Sequence, residues 1–333
     1  MTKKIEMGLT PQQVKQVRDE LVTCKNPLFL FHDDPDGLCS FLLLYRYIRE
    51  GHGVVVKSVP RIDEKFLRKV NEYDPDKIFI LDIAIVDQYF VDEVKRPIIW
   101  VDHHEPLDRN KVKYFNPRVK DPNKNVPATY LCHQVTKQDL WIATTGCIGD
   151  WFVPDFYSEF AKEYPTLVDK KKKTAPEILF DTKLGKLSRI MSFMLKGKTG
   201  GVMKCIKIMT RIADPYEILD QTTPRGKFIY KRYEVMNEKY EALLKTAIKS
   251  VSKDKLLVFT YSEDEVSFTG DLSNELLYRY PDKIIIIGRK KSDEIRMSLR
   301  SSKIILPPVL QKALQNVSGY GGGHEHACGA CVK

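Results

Sequence analysis

Ile98-Ile99-Trp100-Val101-Asp102-His103-His104 joins a run of apolar residues to an acid and two histidines. The apolar part predicts a buried strand, and the polar part then lies at the carboxyl end of that strand, where open α/β sheets place their functional sites. Aspartate and histidine are ligands of divalent metals, and adjacent residues on an extended chain point in different directions. One histidine can therefore bind a metal while the other faces a substrate. Taken alone, the stretch also fits a polar surface turn.

The same order of strand, polar loop and helix recurs upstream. Four apolar runs predict buried strands at residues 28–31, 54–56, 78–81 and 98–101, and helical patterns follow near 38–48, 62–70 and 86–94. Such alternation predicts a doubly wound, parallel α/β sheet. Because right-handed crossovers bring the carboxyl ends of these strands to one edge, the polar residues after three of them meet there.

Carboxylates are concentrated in His32-Asp33-Asp34-Pro35-Asp36-Gly37, the first of these loops. Pro35 keeps Asp34 away from helical angles, so Asp34 and Asp36 can point to the same side. Carboxylates that crowd together repel one another unless a cation lies among them. With Asp82, His103 and Asp150 from other loops, the oxygen and nitrogen ligands suffice for two divalent metals that share a bridging carboxylate. Such a pair stabilises phosphoryl transfer, which predicts phosphodiester hydrolysis.

The carboxyl-terminal part returns to β structure, with strands predicted at 256–259, 266–268 and 284–287. Residues 295–300 alternate strictly, which predicts that Ile295, Met297 and Leu299 face a core while Arg296, Ser298 and Arg300 face outward together. An arginine and serine face suits an anion. A short helix is expected over 306–317, and the glycines before His324 allow backbone amides to approach an anion, although a flexible tail fits their composition equally.

Between these parts, residues 184–195, 203–212 and 228–250 are helical in period, and the glycines of 197–201 are expected to separate the first two helices. We therefore predict an amino-terminal domain at 1–165, a helical connector at 166–252 and a smaller α/β domain at 253–333. We expect the active site in the cleft between the two α/β domains.

The charge and the cysteines limit the partners and the compartment. The 333 residues include 54 Lys and Arg against 44 Asp and Glu, a formal charge of +10, which favours anionic partners such as nucleic acid or nucleotides. The seven cysteines are scattered and odd in number, which favours a reducing cytosol. Cys328 and Cys331 have ligand spacing but no second pair. No stretch approaches a membrane span, so we expect a cytoplasmic protein without membrane partners.

The motifs together resemble the DHH phosphoesterases that carry the DHH-associated carboxyl-terminal domain. The resemblance rests on motifs in family order: His32-x-Asp34-x-Asp36-Gly37, Leu81-Asp82, Asp102-His103-His104, Gly146 to Asp150, Ser298-Leu299-Arg300-Ser301 and Gly321-Gly322-Gly323-His324. The family comprises manganese-dependent enzymes, including RecJ-like exonucleases, nanoRNases that degrade very short RNA, and cyclic dinucleotide phosphodiesterases.

This resemblance implies roles for individual residues. Asp34, Asp36, Asp82, His103 and Asp150 would bind metal, with Asp82 as the bridge, and His104 would act near the scissile phosphate. Arg300, Ser301 and His324, with Gly322 and Gly323, would hold the substrate. A single residue separates His32 from Asp34, which is closer to the RecJ-like pattern, notably the archaeal one, so either His32 or Asp33 completes the ligand set.

The expected activity is that of an exonuclease on single-stranded RNA or DNA, favouring short oligonucleotides and releasing nucleoside monophosphates. Two divalent metals would serve it, with Mn2+ ahead of Mg2+ or Co2+. A cyclic dinucleotide phosphodiesterase is the alternative, and a catalytically silent, replication-associated module is a third reading that predicts degraded metal motifs. The sequence does not predict the direction of digestion, and it leaves the oligomeric state open, a dimer included.

Overall fold

Two compact units, residues 1–230 and 231–333, make up the chain in the computed structural model, and each is described by itself. The structure describes residues 7–57, 60–262 and 266–333. The division into domains at 165 and 252 stays a prediction.

A parallel sheet of five strands lies at the centre of the first unit, in the order β2-β1-β4-β6-β7. All four strands predicted for this region are present, and the fifth, β7, was not expected from the sequence. The two short strands β3 and β5 pair separately. The strands are β1 (Pro27–His32), β2 (His52–Val56), β3 (Arg61–Ile62), β4 (Lys77–Leu81), β5 (Ile85–Val86), β6 (Ile98–Val101) and β7 (Val112–Phe115).

Helices connect these strands and continue beyond them. They are α1 (Pro11–Val22), α2 (Pro35–Ile48), α3 (Leu67–Tyr73), α4 (Gln88–Glu93), α5 (Ala128–Thr136), α6 (Leu140–Gly149), α7 (Tyr157–Glu163), α8 (Ala175–Asp181), α9 (Lys183–Met194), α10 (Thr199–Met209) and α11 (Pro215–Leu219); α12 (Pro224–Lys249) contains residues of both units. The α-helix expected from residue 62 begins only at Leu67, because Ile62 lies in β3 and pairs with Val86 in β5. Gly200 and Gly201 lie inside α10, so of the glycines expected to separate α9 from α10 only Gly197, at φ 89°, lies between them.

Two glycines allow the helices around the sheet edge to approach closely. A Cβ atom on Gly37 would lie 2.5 Å from the carbonyl oxygen of His32, so glycine is what lets α2 begin against the end of β1. A Cβ atom on Gly146 would lie 2.7 Å from the Cβ atom of Cys39, where α6 packs on α2. This close packing brings the carboxyl end of α6, and with it Asp150, toward the loop that begins α2.

The second unit has a mixed sheet in the order β11-β12-β10-β9-β8, in which β8 and β9 are parallel and the other pairs antiparallel. The smaller carboxyl-terminal α/β unit is thereby confirmed. Its elements are β8 (Leu256–Tyr261), α13 (Thr269–Arg279), β9 (Ile284–Lys291), β10 (Glu294–Arg300), α14 (Leu306–Ala313), β11 (Gly319–His324) and β12 (Ala327–Val332).

Two expectations for this unit were wrong. Residues 266–268 form no strand, because the amide of Phe268 donates to the Tyr261 hydroxyl (2.8 Å) and its carbonyl accepts from Leu272 as α13 begins. The polar face of β10 does not face outward as a whole, because Ser298 is buried with its Oγ 2.9 Å from Ser273 Oγ in α13. The opposite face does meet a core, since Leu299 clusters with Leu306 and Leu310 of α14.

The glycine run is the edge strand of this sheet. Residues 319–324 form β11 and pair along their whole length with β12, which excludes the flexible tail. Glycine is required by packing at Gly323, which has φ 146° and where a Cβ atom would lie 2.3 Å from the Ala327 carbonyl oxygen. At Gly322, by contrast, a Cβ atom would meet nothing within 4 Å.

All seven cysteines are buried free thiols. Cys328 and Cys331 both lie in β12, three residues apart, so their side chains point to opposite faces of the sheet. Within the described ranges, no helix has the length and apolar character that a bilayer crossing requires.

Candidate metal centre

The predicted metal ligands of the first unit lie together at the carboxyl edge of the parallel sheet. Their positions follow from the ends of strands and helices. His32 is the last residue of β1, Asp34 is the N-cap of α2, Asp36 lies in the first turn of α2, Asp82 follows β4, His103 and His104 follow β6, and Asp150 is the C-cap of α6.

Asp82 lies at the middle of this cluster and is almost fully buried, with 1% of its surface exposed. Its Oδ1 atom is 3.3 Å from Nε2 of His103, and its Oδ2 atom is 3.3 Å from Nδ1 of His32. The backbone at Asp82 is left-handed, with φ 56°, a conformation that non-glycine residues rarely adopt. Each oxygen of one carboxylate thus faces a different imidazole, which is the arrangement that a bridging ligand needs.

Asp36 and Asp150 also approach His103, Asp36 at the same ring nitrogen as Asp82 and Asp150 at the other. Asp36 is 1% exposed and accepts hydrogen bonds from the amides of Ala128 (2.9 Å) and Thr129 (2.7 Å) at the start of α5. Its Oδ2 atom is 3.7 Å from Nε2 of His103, and Asp150 Oδ2 is 3.9 Å from Nδ1. Among the described residues, three groups bring ligand atoms close enough to share a cation: His32, Asp34 and Asp82; Asp36, His103 and Asp150; and Asp82, His103 and His104.

The buried carboxylates of the cluster favour the binding of a cation. Burial, with the nearby carboxylates of Asp82 and Asp150, raises the pKa of Asp36 well above its usual range, and burial raises the pKa of Asp150 to about 6. Burial alone would raise the pKa of Asp82 too, but its contacts with His103 and His32 lower it. In the described part of the chain, no lysine or arginine pairs with these carboxylates. Buried oxygen and imidazole donors without a basic partner fit divalent cations such as Mn2+ or Mg2+.

His104 is held by a separate network. Its Nδ1 atom lies 2.8 Å from Asp102 Oδ1, and its amide donates to Asp102 Oδ2 at 3.1 Å. Asp102, which is fully buried, also accepts from the hydroxyl of Tyr114 (3.2 Å). The side-chain Nδ2 of Asn116 donates to that hydroxyl (2.7 Å) and to the His104 carbonyl (2.9 Å). The acid of the paired-histidine motif therefore orients a histidine and belongs to none of the metal-capable groups described above.

Asn125 orients the other histidine, and the sequence offered no signal for it. Its Oδ1 atom lies 2.8 Å from His103 Nδ1, which fixes that nitrogen as the donor and leaves Nε2 toward Asp82 and Asp36. Asn125, Tyr114 and Asn116 come from a loop and from the unexpected strand β7, outside every motif.

The residues expected to hold substrate lie in the second unit. The Nε of Arg300 donates to Asn274 Oδ1 (2.7 Å), and burial lowers the pKa of Arg300 to about 10. Ser301 is 2% exposed, and its Oγ accepts from the amide of Ile304 at 3.0 Å. His324 is exposed at the end of β11, next to Gly322 and Gly323. Their part in substrate binding stays a prediction.

Two protein-family models match the chain, one in each part. A model described as the DHH family, N-terminal domain, matches residues 28–149, and the DHHA1 domain matches residues 238–333. No curated protein matches the sequence.

Solved structures share the fold at low identity. RecJ from Thermus thermophilus in complex with Mn2+ is 15% identical with a TM-score of 0.70, over 99% of this chain and 53% of that one. A manganese-bound exonuclease RecJ is 14% identical with a TM-score of 0.60, over 98% of this chain and 91% of that one. The Thermus protein in complex with Mg2+ is 13% identical with a TM-score of 0.60, over 99% of this chain and 51% of that one. This chain therefore spans about half the length of Thermus RecJ.

Proposed function

Because the chain belongs to the DHH family of phosphoesterases, we propose that it is a manganese-dependent phosphodiesterase that acts as an exonuclease on single-stranded RNA or DNA. Short oligonucleotides are its preferred substrates and nucleoside monophosphates its products. The observation that carries this proposal is the buried Asp82 carboxylate between His32 and His103, with Asp34, Asp36 and Asp150 around it.

The chain provides ligands for two divalent cations, which when bound would neutralise phosphate charge and activate water. His32 and Asp34 would hold one cation, His103, Asp36 and Asp150 the other, and Asp82 would bridge them. His32 takes this role in preference to Asp33, because its Nδ1 lies 2.9 Å from Asp34 and 3.3 Å from Asp82.

His104 acts on the substrate through its Nε2 atom. The bond between Nδ1 and Asp102 fixes the ring, and the Asp102 carboxylate favours the protonated imidazole enough to raise the pKa of His104 against its burial. A donor held in this way can stabilise charge on a phosphate oxygen. Tyr114 and Asn116 act as positioning residues, since they bond to each other, Tyr114 donates to Asp102, and Asn116 donates to the His104 carbonyl.

Several features support a nucleic-acid substrate. The formal charge of +10 favours a polyanion, and Mn2+ and Mg2+ are the ions named with the Thermus RecJ structures. Arg300, Ser301 and His324, with Gly322 and Gly323, are the proposed contacts of the substrate. The buried free cysteines support a cytosolic setting. A silent module is disfavoured because the donor set of the centre is complete.

A manganese time course on 5′-labelled single-stranded RNA and DNA of several lengths tests the proposal, with a cyclic dinucleotide in parallel. A descending ladder of products means removal from the 3′ end, and immediate release of labelled mononucleotide means attack from the 5′ end. Either result supports an exonuclease. Cleavage of the cyclic substrate alone would replace it with a cyclic dinucleotide phosphodiesterase, and no turnover of any substrate would favour the silent module.

A further inference from the structure

The first unit contains a cavity with a volume of about 770 Å³ that is separate from the metal centre. It is lined by residues of α5, the start of α6 and α7, and none of the predicted metal ligands lines it. Four aromatic side chains contribute to its mostly polar lining: Tyr130 and Phe156, which stack with ring centroids 5.7 Å apart, and Trp141 and Tyr164. A cavity of this size holds a ligand of several hundred daltons or a short peptide segment.

Two buried polar atoms beside this cavity have no hydrogen-bond partner among the described residues. They are Nε1 of Trp141, a residue 2% exposed, and Nδ1 of His133, a residue 7% exposed, and both residues line the cavity. The other fully buried tryptophan, Trp100, donates its Nε1 to the Ile83 carbonyl at 2.9 Å. A buried indole N–H without an acceptor is costly, so an acceptor brought in by a ligand would be stabilising.

The rim of the cavity is acidic although the protein is basic. Asp155, Glu159 and Glu163 are exposed on it, and in the described part of the chain none of them forms an ion pair with a lysine or arginine. Among the described residues that line the cavity, Lys137 is the one lysine or arginine, and the remaining lining acid, Asp139, is paired with Arg46 at 2.7 Å. His133 adds no charge near neutral pH, because burial and the charge of Lys137 lower its pKa to about 4. Such a rim repels phosphate and attracts a cation.

Taken together, these features specify a ligand that carries a cation and a hydrogen-bond acceptor within one short segment. Aromatic faces attract ammonium and guanidinium groups, and carboxylates at the rim pair with them. A polyamine supplies the cation but no carbonyl for the Trp141 N–H, whereas a lysine or arginine residue in a peptide supplies both.

We propose that this cavity binds a basic segment of a partner protein. A lysine or arginine side chain lies among the aromatic rings and the rim carboxylates, and a backbone carbonyl of the segment accepts from Trp141 Nε1 after a small adjustment of the cavity wall. The proposal is independent of the nuclease function, since it uses neither the metal centre nor a nucleic acid.

Titration of the full chain with blocked tripeptides tests this, with the three indole N–H signals followed by 15N NMR and the Trp141 signal assigned from Trp141→Phe. Acetyl-Ala-Arg-Ala-amide and its lysine analogue are expected to shift the Trp141 signal and to leave the hydrogen-bonded Trp100 signal in place. Acetyl-Ala-Glu-Ala-amide and spermidine are expected to bind at least about tenfold more weakly. Equal shifts from the glutamate peptide or from spermidine, or no shift with either basic peptide, would overturn the proposal.

Charge-matched variants separate the rim from the general charge of the protein. Glu159→Gln with Glu163→Gln should weaken binding of the arginine peptide about tenfold, because two exposed carboxylate partners are lost. Glu64→Gln with Glu93→Gln removes the same charge from exposed positions that do not line the cavity and should leave binding unchanged. Equal weakening by both pairs would contradict a site at this rim. Circular dichroism of each variant confirms that the fold is retained.

Discussion

Replacing Asn125 tests how the metal centre is built. The side chain of Asn125 accepts from Nδ1 of His103 at 2.8 Å, whereas the carboxylate oxygen Asp150 Oδ2 is 3.9 Å from that nitrogen, beyond hydrogen-bond distance. In Asn125→Ala, no hydrogen-bond partner among the described residues remains at Nδ1 to hold the ring orientation that turns Nε2 toward Asp82 and Asp36. The loss of a group that orients a metal-binding histidine lowers metal affinity about 10-fold to 100-fold. Because Asn125 is exposed, water can partly replace it, and we expect the lower end, about tenfold.

Calorimetric titration with Mn2+ measures this directly, and activity against Mn2+ concentration gives a second reading. The account predicts a dissociation constant about tenfold higher in Asn125→Ala, with the maximal rate largely recovered at saturating Mn2+. Asn123→Ala is the matched control, because Asn123 is an exposed asparagine of the same loop whose side chain makes none of the hydrogen bonds found at His103. Unchanged Mn2+ affinity in Asn125→Ala, or an equal loss in Asn123→Ala, would refute the reasoning.

Three further outcomes are expected. Tyr114→Phe removes the hydroxyl that donates to Asp102 at 3.2 Å, so kcat should fall about twofold to tenfold with Mn2+ affinity unchanged; a loss of Mn2+ affinity instead would mean that Tyr114 does not act through His104. Gly37→Ala places a Cβ atom 2.5 Å from the His32 carbonyl oxygen and should lower the free energy of unfolding, measured in urea, by about 1–3 kcal/mol. Gly200→Ala lies in a helix with open space around the new atom and should raise that free energy by about 0.5–1 kcal/mol. Equal effects of the two variants would contradict the packing argument. Burial lowers the pKa of His133 from its ordinary 6.5 to about 4 in the folded protein, so the folded state binds this proton more weakly than the unfolded state. The free energy of unfolding that depends on a neutral His133 is therefore fully present above pH 6.5 and is lost as pH falls through 4, about 3 kcal/mol in total. Urea unfolding at pH 7 and pH 4.5 should show a smaller pH dependence in His133→Leu than in the wild type, and identical dependence would exclude a buried neutral His133.

The cluster at the sheet edge was predictable because two simple regularities act together. Apolar runs such as residues 78–81 predict buried strands, and parallel strands joined by right-handed crossovers bring the residues after them to one edge. Asp82 and His103 are therefore adjacent in space although 21 positions separate them in the chain. Asp150 was also expected as a ligand, from the motif Gly146 to Asp150, and the close packing of α6 on α2 at Gly146 accounts for its position in the structure.

The residues that orient the histidines could not be predicted in this way. Asn125 lies in a loop and Tyr114 in β7, whose residues alternate too weakly in hydropathy to indicate a strand, so their contacts depend on tertiary packing alone. The glycine run 319–324 was missed as a strand because glycine has low β propensity, yet close backbone contacts with β12 require glycine at Gly319 and Gly323. The polar face of β10 was misjudged because α13 covers Ser298, a contact that alternation does not report.

The most direct test of the central claim is the rate of Mn2+-dependent hydrolysis of a short single-stranded oligonucleotide by Asp82→Asn. The exchange keeps the size of the side chain but removes the charge between His32 and His103, so the account predicts a loss of about a thousandfold or more. Asp92→Asn removes the same charge from an exposed pair with Lys111 and should hydrolyse at the wild-type rate. Wild-type turnover by Asp82→Asn would contradict a hydrolytic centre built around this carboxylate.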